Sequence, residues 1–143
     1  MSEREVQATR PVCVVPCSGI GKSYGSVTRE AAYVVEELRP ETAQIVPLSL
    51  LVLGDEDAQA AVRAALVITL DGCKLACASA NVRQAGGTVA REYDVLDFYR
   101  RHKDMKPQGI ADLNEGGLAL AHALAQEVAE ASDAVTQGAD DHA

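Results

Sequence analysis

Aromatic residues are almost missing from this chain: no Trp, one Phe and four Tyr among 143 residues. A core without large rings must be filled by Val, Leu, Ile and Ala, which favours packed α/β layers over an aromatic-rich sandwich. Also missing is any apolar run near the roughly 20 residues that a bilayer-spanning helix needs. Basic residues are outnumbered 13 to 21, for a formal net charge of −8. That balance suits neither nucleic acid nor an anionic membrane surface as a partner. The opening residues, MSEREVQATR, have neither the apolar centre of a signal peptide nor an Arg-rich transit pattern. The expected location is therefore the cytoplasm, where thiols stay reduced and cysteines point to metal binding or catalysis before disulfides.

What is present is ordinary for a globular protein: 48% hydrophobic and 24% charged residues. The length predicts one domain, with residues 1–10 as a disordered lead-in, 11–135 as the α/β domain and 136–143 as a disordered acidic tail. Val12–Val15 is a continuous apolar run suited to a strand buried on both faces. A helix is predicted from Ser26 to Leu38, stopped by Arg39-Pro40. A second strand follows over Ala43–Leu48, then an alanine-rich helix begun by Asp55. Leu66–Leu70 is the clearest strand, rich in β-branched residues and ended by Asp71-Gly72. A helix over Cys73–Ala85 stops at Gly86-Gly87, and Thr88–Val95 makes a polar edge strand. Asn114 then caps a final helix carrying Leu120, Leu124 and Val128 at i+4 spacing. This order predicts a three-layer domain with a small, mostly parallel four-stranded sheet, Rossmann-like or flavodoxin-like.

The segment VVPCSGIGKSYG ends a strand in a glycine-rich turn that imitates a nucleotide-binding loop. That loop requires G-x-x-x-x-G-K-[ST], whose backbone amides wrap the phosphates. Here Pro16, with no N–H, holds the place of the first glycine, so the turn departs from that loop and nucleotide hydrolysis is disfavoured. A lesser role survives. Gly19, Gly21, Lys22 and Ser23 could grip a small anion at a strand-to-helix turn, or Lys22 could simply be an exposed turn residue.

The four cysteines form two C-x₃-C pairs, Cys13/Cys17 and Cys73/Cys77, which is not the knuckle spacing of zinc ribbons. Cys17 and Cys73 each lie just past the carboxyl end of a predicted strand. Ligands of open parallel sheets bind at that edge, so the two thiols converge if the strands are neighbours. Cys77, four residues on, would share a helical face with Cys73, near a helix N-terminus that favours thiolate. Cys13 would sit about 13 Å back along the strand and is better read as a core residue, though it stays a candidate fourth ligand. Asp71 is the one obvious acid nearby, either a catalytic partner for Cys17 or a helix cap. His102, His122 and His142 fit packing or solvated positions. Arg100, Arg101, Lys103 and Lys106 make a small basic patch that is either a solvated loop or a grip for an anionic partner.

The segments VVPCSGIGKSYGSVTREAAYVVEELRPE, ALVITLDGCKLACASANVRQAGG and KPQGIADLNEGG together resemble the bacterial and archaeal DGC-domain proteins, which are described as zinc-binding. The likeness spans Pro11 to Val128 and includes the triplet Asp71-Gly72-Cys73 that gives the family its name. One departure is Lys74, where the family often has Pro. The resemblance implies a metal site carried by Cys17, Cys73 and Cys77, with Cys13 as a further candidate. The leading expectation is a small metal-binding protein, zinc-loaded, with an open position for a small anionic or thiol-containing molecule. A sulfur-transfer or Fe–S cluster protein in sulfur metabolism is the alternative, and a non-catalytic regulatory binding module the third. Enzyme and non-enzyme both remain open, and self-association as a homodimer is compatible with the sequence.

Overall fold

A run that is apolar at every position needs cover on both faces, and the structure supplies it. The computed structural model describes residues 10–17, 22–72 and 75–141. Strand β1 (Val12–Pro16) is buried along its whole length and lies in the middle of a four-stranded parallel sheet. The further strands are β2 (Ala43–Ile45), β3 (Leu66–Asp71) and β4 (Thr88–Asp94), in the order β2-β1-β3-β4. Pro16 can stand in a central strand because its missing donor is not needed. Val14 carbonyl already serves Val46 on the β2 side, β2 itself ends at Ile45, and the next amide, Cys17 N–H, turns to Leu70 O on β3 at 2.8 Å.

Alternation along β1 splits the core in two. Val12 and Val14 face a layer of helices α1 (Ser23–Leu38), α5 (Val95–Arg100) and α6 (Glu115–Asp141). Cys13 and Val15 face α3 (Glu56–Ala64) and α4 (Cys77–Gln84), with Leu51 of α2 (Leu48–Leu53) alongside. The predicted three-layer α/β architecture is therefore the observed one. The expected stripe on the last helix is also present, with Leu120, Leu124 and Val128 fully buried, and Asn114 Oδ1 accepts the Gly117 amide at 2.8 Å as its cap. Asp55 caps α3 through the Ala58 amide at 2.9 Å. β4 is an edge strand, half-exposed and shifted in register between Val67 and Ile68 of its neighbour.

Four local expectations change. Helix α1 starts at Ser23 rather than Ser26, because Lys22 is extended and its carbonyl receives the Gly25 and Ser26 amides. The second strand is only three residues long. Pro47 then opens the short helix α2, where a strand had been expected to continue. Asp94 accepts the Leu96 amide and begins α5, so the end of the polar strand and part of the basic stretch are helical. Helix α6 continues to Asp141, through residues assigned to the tail. Residues 1–9 of the lead-in lie outside the described residues.

Between α5 and α6 the chain runs as a strap across the head of α1. Ser23 and Ser26 donate their hydroxyls to Pro107 O and Ile110 O, and Asn114 Nδ2 holds Lys106 O at 3.1 Å. Gly109 has φ +92, a left-handed turn that a side chain would strain. No helix among the described residues is long and apolar enough to cross a membrane.

Candidate metal centre

Chain reversal in the strand order places the site. From β1 the chain goes to β2 on one side, then returns past β1 to β3 on the other. The helices that follow β1 and β3, α1 and α4, lie on opposite faces. The crevice at the carboxyl ends of β1 and β3 is thus the topological switch point of the sheet. Parallel pairing sets Pro16 beside Leu70, so Cys17 emerges level with Asp71.

At that edge the Gly72 amide donates to Cys17 Sγ at 3.2 Å. The Thr28 hydroxyl, from α1, lies 3.7 Å from the same sulfur. Cys17 is half-buried and not in a disulfide. Gly72 can come this close only because it lacks a side chain. A Cβ there would stand 3.1 Å from Gly25 N and from the Tyr24 carbonyl carbon, both backbone atoms of the first turn of α1. Gly72→Ala is therefore expected to destabilise the protein by about 1–2 kcal/mol in urea denaturation. Wild-type stability in this variant would show that the close approach is unimportant.

Asp71 is buried, 4% exposed. Its Oδ1 accepts the Ala78 amide at 2.8 Å, while Oδ2 accepts the Ser79 hydroxyl at 2.9 Å and the Ser79 amide at 3.4 Å. Thr69 Oγ1 joins Ser79 Oγ at 2.6 Å. Because Ser79 gives its one hydroxyl hydrogen to Asp71, Thr69 is the donor in that last bond. Asp71 is thus a helix cap supplied from the preceding strand, and it sets the first turn of α4 at Cys77 to Ser79. Ala76, left-handed at φ 50, cannot continue that helix backwards. This corrects the expected helix over Cys73–Ala85: α4 opens only at Cys77.

Cys77 is exposed at the head of α4, and the positive ends of α1 and α4 both lie at this edge of the sheet. Cys73, Gly19 and Gly21 lie outside the described residues. Among the described residues, no three Cys, His, Asp or Glu side chains are grouped closely enough to hold a metal ion. Lys22 and Ser23 stand at the head of α1. Lys22 is exposed and forms no ion pair among the described residues.

Cys13 belongs elsewhere. It is 2% exposed on the α3 side of the sheet, and its thiol donates to Ala61 O at 3.6 Å. Burial pushes its pKa up to about 12, the opposite of what a thiolate ligand needs. It is a core residue.

Two of the four side chains in the basic patch are paired. Arg100 pairs with Asp97 at 2.8 Å, and Arg101 pairs with Glu127 at 3.4 Å while covering the Phe98 ring. His102 stacks on Phe98 with centroids 4.5 Å apart, a packing role. Lys106 instead lines an open cleft of about 470 Å³ with Asp104, Gln108, Asn114, Glu115 and Gly116.

A family model of the DGC domain matches residues 13–116. The chain belongs to the DGC-domain family. The matched span of this DGC domain takes in Cys17, the Asp71-Gly72-Cys73 triplet and Cys77, and it ends where the strap meets α6. No match was found among curated proteins or among solved structures. Thr28, Thr69 and Ser79 were not singled out by the sequence. Thr28 lies on the buried stripe of α1, and Thr69 and Ser79 look there like ordinary strand and helix residues.

Proposed function

We propose that this DGC domain is a thiolate-ligated metal-binding protein. Zinc is held by Cys17, Cys73 and Cys77, with one position left for a small anionic or thiol-containing molecule. The observation that carries the reading is the Gly72 amide on Cys17 Sγ at 3.2 Å, because Gly72 is bonded directly to Cys73. The donor chemistry fits: soft sulfur ligands at an accessible edge, beside two helix N-termini whose partial positive charge offsets the excess negative charge of a multi-thiolate centre. Three protein ligands and an open position is the arrangement of catalytic rather than structural zinc, and Cys13 is too deeply committed to the core to close it. Zinc there would act as a Lewis acid toward a bound thiol or water. Lys22 and Ser23, together with Gly19 and Gly21, are the proposed grip for the anionic part of the second ligand.

The test is anaerobic purification with metal and acid-labile sulfide analysis, repeated for Cys17→Ser and Cys73→Ser. The expected result is about one zinc per wild-type chain and loss of most of it in each variant. If both variants keep their full metal, the shared site does not exist. Brown protein with labile sulfide would replace zinc by an Fe–S cluster. Metal-free protein with a rapidly alkylated Cys17 would favour sulfur transfer.

A further inference from the structure

We infer that Thr28 is a positioning residue of this centre, holding the Cys17 sulfur from α1 as the Gly72 amide does from β3. The inference rests on the metal-binding reading above. Thr28 is fully buried, and its hydroxyl lies 2.6 Å from Gly25 O and 3.7 Å from Cys17 Sγ. A threonine hydroxyl has one hydrogen to give and lone pairs to receive. With Cys17 protonated, that hydrogen goes to Gly25 O, and the thiol hydrogen of Cys17 points to Thr28 Oγ1.

Ligation changes the count. The Cys17 thiol must lose its hydrogen to solvent before its sulfur can serve as a ligand. The sulfur is then acceptor only, and the Thr28 hydroxyl can turn its hydrogen from Gly25 O to Sγ. Little is lost at Gly25, because its carbonyl lies within α1 and keeps the helical partner four residues on, the Arg29 amide. The sulfur exchanges one hydrogen bond for another, now with two donors, Thr28 and Gly72, fixing its direction. Such outer partners of metal ligands orient the donor atom and raise affinity.

Two variants separate this role from packing. Thr28→Val keeps the shape but removes the hydroxyl, and Thr28→Ser keeps the hydroxyl. Competition titration with a chromophoric chelator should show zinc affinity falling about 10- to 100-fold in Thr28→Val and returning close to wild type in Thr28→Ser. With cobalt in place of zinc, the sulfur-to-metal charge-transfer band should shift in Thr28→Val alone, a signature that a packing defect would not produce. Wild-type affinity and an unshifted band in Thr28→Val would overturn the inference. A second measurement needs no metal. In the apo protein, a double-mutant cycle of Thr28→Val with Cys17→Ala should depart from multiplicative unfolding constants by at least about twofold. A multiplicative cycle also overturns it. Absence of thiolate-bound metal from the wild type would defeat the metal reading instead, and the cycle alone would then decide whether Thr28 holds Cys17.

Discussion

Asp71→Ala is expected to lower the unfolding free energy by about 3 kcal/mol, measured by urea denaturation near neutral pH. The carboxylate is buried and receives three donors: two amides from the first turn of α4 and the Ser79 hydroxyl. Removing it orphans all three in a site that is closed to water, and each buried unmet group costs about 1–3 kcal/mol before relaxation. Fraying of α4 recovers part of the loss, at the expense of the position of Cys77. Asp71→Asn, which keeps an acceptor, should fall between, and Ser79→Ala should lose about 1 kcal/mol. A change below about 0.5 kcal/mol in Asp71→Ala would mean that the cap contributes nothing, since substitutions at inert surface positions lie in that range. The prediction bears on function too. On the proposed metal reading, Asp71→Ala should also retain less metal as the start of α4 loosens, with Asp71→Asn partly preserving it.

The fold was legible where a residue pattern has one physical solution. A four-residue, β-branched apolar run such as Val12–Val15, closed by a proline and a glycine-rich turn, suits a strand covered on both sides, and the spacing of Leu120, Leu124 and Val128 suits a helix with one buried face. The carboxyl-edge placement of Cys17 followed from strand order alone. What escaped were elements set by a single backbone bond or by contacts between distant segments. Helix α2 is too short for periodicity to appear in Leu48–Leu53, and α5 depends on Asp94 reaching the Leu96 amide. The start of α4 depends on a carboxylate six residues upstream of Cys77. No local rule for helix caps anticipates that, because a cap ordinarily comes from the residue next to the helix. Thr28 was hidden for the same reason: its importance lies in a sulfur eleven residues away.

The misses at the site, the start of α4 and Thr28, arise because the site is where β1, β3, α1 and α4 meet. Each element is individually ordinary, and the chemistry arises from their close approach. Gly72 makes the approach sterically feasible, Asp71 orders the far side, and the strap docks on α1 through Ser23 and Ser26. Two members of the DGC triplet accordingly have separate jobs, with Asp71 ordering a helix and Gly72 admitting a neighbouring backbone, while Cys73 is the ligand proposed above.

A second large effect is expected at high pH, from the cysteine outside the site. Burial raises the Cys13 pKa from 9.0 to about 12. Below pH 9 the thiol is protonated in both folded and unfolded chains and contributes no pH dependence. As pH rises past 9, the unfolded chain gives up this proton and the folded chain keeps it. Stability therefore falls by about 1.4 kcal/mol per pH unit until the folded thiol also ionises near 12. Between pH 9 and 11 the wild type should lose about 2 kcal/mol through this residue alone, because the unfolded thiol is already half ionised at pH 9. Tyr93, whose pKa is also raised chiefly by burial, adds a loss of the same sign above its ordinary range, so the slope must be isolated by comparison. Cys13→Ala leaves Tyr93 in place and removes the thiol. Urea denaturation of both proteins under reducing conditions should show the variant flatter by about that amount, and equal slopes would sink the assignment. The same pair of proteins bears on the proposed metal site. Cys13 is buried on the α3 side of the sheet with its thiol on Ala61 O, so on the proposed zinc reading Cys13→Ala should keep the metal content of the wild type.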